Sequence, residues 1–188
     1  MQEILGVVSG LLVPCATAFY AVGIVRKQID PAKATWIVWT ALSALTAAGM
    51  FAESAINYQI VAVAIADLIV LFLAFRYGNA WNWTWVDRVC LALAGVSILL
   101  WGATNDALGA IVLLLLATVI GFVPMAVQVW QRPDSERPLP WIIMCTSSVL
   151  LLMSLTKWSF ASAAQPIVYL VVPAIVLFLS LRKRPALA

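Results

Sequence analysis

Histidine is absent from these 188 residues. Without an imidazole the chain cannot build a His-ligated metal or haem site, nor a catalytic dyad that needs one. Charge is scarce too: Asp, Glu, Lys and Arg make up 10% of the sequence, well below the roughly 25% of soluble domains. The three cysteines, Cys15, Cys90 and Cys145, stand singly in different apolar runs without ligand spacing, and read as small apolar packing groups. A retinal Schiff base is excluded, because Lys157 and Lys183 fall outside the last apolar run. One intramembrane carboxylate cannot supply an aspartyl pair. No enzyme activity, cofactor or metal site is expected.

What the chain does have is apolar surface: 64% of its residues are hydrophobic and its mean hydropathy is +1.04. A helix needs roughly 20 apolar residues to cross a hydrocarbon core of about 30 Å. Seven runs meet that need, at 4–25, 34–52, 58–76, 88–104, 108–131, 140–157 and 162–181. The expected fold class is an all-α polytopic membrane protein whose main partner is the lipid bilayer. The first run is not read as a signal peptide despite Ala16-Thr17-Ala18, because MQEILG carries Glu3 and no basic residue.

Basic residues set the orientation. With an outside amino terminus, Arg26, Lys27, Lys33, Arg76, Arg88, Arg132, Arg137, Arg182, Lys183 and Arg184 all fall inside, and only Lys157 of the eleven falls outside. The positive-inside rule therefore predicts an external amino terminus and a cytosolic carboxyl terminus. The net charge of +3 reports this asymmetry, not nucleic-acid binding. Trp81-Asn82-Trp83 with Thr84-Trp85 reads as an interfacial aromatic anchor. In RKQIDPAKATW, Asp30 is expected to cap a helix that begins at Pro31.

The phrase IVLFLAFR at 69–76 returns as IVLFLSLR at 175–182. At that offset Gln59 also matches Gln165. One residue less aligns Ala21-Val22 with Ala126-Val127, Lys27 with Arg132, Trp36-Ile37 with Trp141-Ile142, and Ser43 with Ser148. The matches divide the chain into a first three-helix repeat at 1–80, a linker loop with helix four at 81–106, and a second three-helix repeat at 107–188. A single intervening helix makes the repeats parallel, as two three-helix bundles in a 3+1+3 arrangement.

This organisation resembles the PQ-loop and SWEET-like membrane proteins, and the chain is similar to a divergent bacterial branch of them. Pro124-Met125 in FVPMAVQVWQRPDSERP looks like the family's Pro-Gln pair, with Phe19 at the equivalent place in the first half and Pro14 five residues earlier. The resemblance implies transport between the two repeats across a bacterial cytoplasmic membrane. Where sugar-transporting members are similar in presenting an amide from each half, this chain has Asp67 and Pro173.

Asp67, in VAVAIADLIVLF, is the one charged residue near the centre of a predicted span. A charge there costs about 2.5–3.5 kcal/mol on the insertion scale, so it calls for a partner, a water-filled path or protonation. It can bind a polar or cationic solute, carry a proton, or hold helices together. Ser43 and Ser148 are candidate neighbours, with small-residue packing as the plainer role. Pro124 and Pro173 break the backbone ladder, as hinges or as fixed kinks. The loop QRPDSERPLPW reads as a rigid turn with a local ion pair, or as an inner gate. Gly6 and Gly10 have GxxxG spacing. Two functions remain: a transporter of a small polar solute, with Asp67, Ser43 and Ser148 as binding or proton-carrying residues, and a non-transporting receptor or accessory subunit. A homo-oligomer is compatible with either.

Overall fold

The computed structural model describes residues 1–29, 31, 33–78 and 84–182, apart from the side chains of Ala34 and Pro124. Among them are seven α-helices and no strand: α1 (Gln2–Val25), α2 (Lys33–Ala52), α3 (Tyr58–Tyr77), α4 (Trp85–Thr104), α5 (Ala107–Gln131), α6 (Pro138–Ser154) and α7 (Phe160–Ser180). Six are long and apolar enough to cross a membrane. They mark the chain as an integral membrane protein. The seventh, α6, has 17 residues. It ends three residues before its expected limit because the Ser154 hydroxyl turns back onto the Leu151 carbonyl at 2.6 Å and Leu155 leaves the helical region.

Local chemistry sets the other boundaries. Asn57 starts α3 by accepting from the Ile60 N–H at 2.9 Å, and Asp106 starts α5 by accepting from the Gly109 N–H at 2.9 Å. Reciprocal caps, Thr84 with Asp87 and Ser159 with Ser162, open α4 and α7. The first of these moves the start of α4 three residues ahead of expectation, so Trp85 belongs to the first turn of the helix, where its ring is exposed. Trp81-Asn82-Trp83 and the Asp30 cap lie outside the described residues.

Six helices close a ring in which neighbours pack in the order α1, α3, α2, α5, α7, α6 and back to α1. Outside it, α4 lies against α5 and more lightly against α2. Small residues permit the close contacts. Gly10 is buried against α3, where a Cβ would stand 2.7 Å from the Tyr58 Cβ, and Gly6 faces Ser154 of α6. Both glycines of the GxxxG pair therefore serve α1 contacts. The outward surface carries bare apolar side chains, among them Leu68, Phe72, Leu99 and Phe178. Such a belt belongs against lipid.

Candidate functional site

Along α3, Val63, Ala66 and Val70 are buried while Leu68, Ile69 and Phe72 are exposed. Helical periodicity puts Asp67 on the inward stripe with the first set. There it lines a cavity of about 120 Å³ whose wall draws on all six ring helices: Tyr20 from α1, Trp36 and Trp39 from α2, Asp67 from α3, Thr118 from α5, Trp141 from α6, and Tyr169 and Pro173 from α7. Asp67 is the one charged residue among the described residues of that wall. Ser43 lies near Asp67 and donates its hydroxyl to the Thr40 carbonyl at 3.2 Å.

Ser148, like Ser43, is not among the residues of the cavity wall. It lies in a buried polar layer that reaches toward the N-termini of α3 and α7. The layer is a directed chain of hydrogen bonds. Asn57 donates its amide to Gln165 Oε1 at 2.9 Å, and Gln165 donates to Gln59 Oε1 at 3.0 Å. Gln59 in turn donates to the hydroxyls of Ser147 at 2.7 Å and Ser148 at 3.0 Å. Ser147 donates to the Ser9 carbonyl at 2.9 Å. Every amide proton used here finds an acceptor, and four helices are joined. Buried polar groups in an apolar bundle persist only under that condition.

Ser148 and Pro173 are nevertheless linked, through the backbone. Proline has no N–H, so Pro173 leaves the carbonyl four residues earlier, that of Tyr169, without its ladder partner. The Ser148 hydroxyl donates to that carbonyl at 2.8 Å. A proline break in a membrane helix is thereby repaired by a neighbouring helix. Pro124, the other expected hinge, falls within α5, and its side chain is not among those described.

A second layer forms where α1 ends and α6 begins. Glu136 is 6% exposed; its carboxylate accepts from the Tyr20 hydroxyl at 3.2 Å and from the Trp141 indole N–H at 3.1 Å. At Glu136 both of these partners are neutral donors. Burial pushes the Glu136 carboxyl up to about 7, against the lowering effect of both hydrogen bonds. Around it the rings stand steeply to one another: Tyr20 lies 5.5 Å from Trp36 at 56° and 6.2 Å from Trp141 at 82°.

Sequence reasoning took Glu136 only as part of the turn QRPDSERPLPW, and noted Gln59 and Gln165 only as matching positions. Two amides matched by sequence offset, near the starts of α3 and α7, were the available signal for that pair; no spacing rule signals Glu136, whose donors include one 116 residues away. No family model, curated protein or solved structure matches the chain.

Proposed function

We propose that this chain transports a small polar solute by alternating access between two parallel three-helix repeats, with Asp67 at the solute site and α4 as linker. The observation that carries the reading is the cavity: all six ring helices wall it, and Asp67 is the single charged group described there. Asp67 can neutralise a charged solute or exchange a proton, and intramembrane carboxylates commonly mark such paths.

The repeat reading draws support from the packing order. Exchanging α1, α2 and α3 for α5, α6 and α7 turns each ring contact into another ring contact: α1 on α3 becomes α5 on α7, α2 on α3 becomes α6 on α7, and α1 on α6 becomes α5 on α2. Residues paired by sequence offset also meet in space. Gln59 bonds to Gln165, and Val70, Val176, Trp36 and Trp141 share one buried cluster. Equivalent residues that touch lie close to an axis relating the halves, and parallel repeats of transporters place their sites along such an axis.

In this reading the amide and serine layer closes the external end, and the Glu136 layer lies toward the cytosol of a bacterial cell. The test is a solute-uptake screen in proteoliposomes with the parent and Asp67→Asn. Uptake by the parent that falls at least tenfold in the folded variant is expected. A folded Asp67→Asn protein that transports like the parent would remove Asp67 from the mechanism, and a parent that takes up nothing would favour the receptor or subunit.

A further inference from the structure

Most hydrogen-bonding groups of the cavity wall are already committed elsewhere. Thr17 donates to the Val13 carbonyl and Thr118 to the Leu114 carbonyl, each at 2.9 Å. Tyr20 and Trp141 direct their donors to Glu136. The Trp39 indole nitrogen has no hydrogen-bond partner among the described residues and sits against α5, close to where a Cβ on Gly121 would be. What the wall offers a solute is therefore one carboxylate, the Tyr169 hydroxyl and the Trp36 indole N–H, aromatic surface, and the apolar groups of Val13, Val63, Ala66 and their neighbours.

That inventory discriminates among solutes. A polyol needs donors and acceptors for each hydroxyl, and leaving them unmet in an apolar site is costly. An anion would meet Asp67 with no Arg or Lys in the wall to offset it. A bare metal ion needs several oxygen ligands, and no cluster of His, Cys, Asp or Glu able to hold one occurs among the described residues. An ammonium ion with alkyl substituents suits the carboxylate, the aromatic surface and the apolar groups of the wall. Its charge pairs with the carboxylate, its polarised alkyl groups lie on ring faces, and its remaining surface is apolar.

The rings are arranged for that use. Tyr20 is tilted to Trp36 and edge-on to Trp141, and Trp36 is edge-on to Trp39 at 5.3 Å and 76°. In an edge-on pair the edge of one ring covers one face of the other, which leaves the opposite face for the cavity. We propose that the cavity binds a small alkylated ammonium ion, with Asp67 as counter-ion and Tyr20, Trp36 and Trp141 as an aromatic box. This rests on reading the cavity as a solute site, but it makes a binding claim that holds or fails without transport.

The probes are tetramethylammonium, sodium and erythritol, titrated into the purified full-length protein in detergent at constant ionic strength and followed by calorimetry. Saturable binding of tetramethylammonium alone is expected. Asp67→Asn should weaken it at least about tenfold and Trp36→Leu about fivefold, while Trp36→Phe, which keeps a ring face, stays within about twofold of the parent. If Asp67→Asn does not fold, the Trp36 pair and the sodium comparison still decide. Erythritol binding without tetramethylammonium binding overturns the proposal. So does sodium binding as tightly as tetramethylammonium, or equal affinity in Trp36→Leu and the parent. Binding without uptake of tetramethylammonium would keep this inference and sink the transport reading; uptake of erythritol without tetramethylammonium binding would do the reverse.

Discussion

At one end of the ring, two glutamines, an asparagine and three serines satisfy one another without a charge; at the other, one carboxyl is held by a phenol and an indole. The amide layer pairs Gln59 with Gln165, residues that match in the sequence at an offset of 106, so α3 and α7 contribute the same chemistry. The carboxyl layer is lopsided, because the position matching Glu136 at the shorter offset is Pro31. A neutral network holds with equal strength across ordinary pH. A buried acid makes its end of the bundle respond to protons.

The largest effect that separates the ends is therefore a pH effect. Glu136 has its folded-state value raised to about 7 from an ordinary 4.5. Below the unfolded value both states hold the proton; between the two values only the folded state does, so stability falls as pH rises through this window and levels off above about 7. The window corresponds to roughly 3 kcal/mol. Thermal unfolding in detergent should show a more stable protein at pH 5 than at pH 8, and Glu136→Gln should reduce that difference. Tyr20→Phe, which removes a donor to the carboxylate, should move the transition to higher pH. A parent with equal stability at both values, or a Glu136→Gln protein that keeps the parent's slope, would place the proton elsewhere.

A smaller effect belongs to the amide end. Gln59→Leu strips Gln165 of its acceptor and both serines of their donor, and should cost about 2 kcal/mol at every pH. Gln165→Leu should act similarly. Because the two side chains are one unit, the double variant should lose less than the sum of the single losses. Additive losses in chemical unfolding, or a loss that varies between pH 5 and pH 8, would erase the distinction between the ends.

The elements were largely legible because their signals are local. Apolar runs reported seven helices, and the charge of Asp67 stood out against a background of Leu, Val and Ile. The caps Thr84 and Ser159 follow from short spacing, yet Thr84 also moved a boundary that hydropathy alone set at residue 88. The polar layers were not legible, since Gln59 meets Ser147 across 88 residues and Tyr20 meets Glu136 across 116. Such pairings depend on which helix faces which, and an apolar alphabet gives no register for that. Ser148 shows the same limit: its depth along α6 was apparent, but its acceptor exists only because Pro173 frees the Tyr169 carbonyl on the adjacent helix.

Alternating access requires the amide end to open, and bridging it tests that requirement most directly. In a protein lacking Cys15, Cys90 and Cys145, Gln59→Cys and Gln165→Cys can be joined by a short reversible thiol cross-linker and the protein assayed for uptake in proteoliposomes. Bridged protein should lose uptake by at least about tenfold, reductant should restore it, and each single-cysteine protein should ignore the reagent. Undiminished uptake through bridged protein would contradict the account.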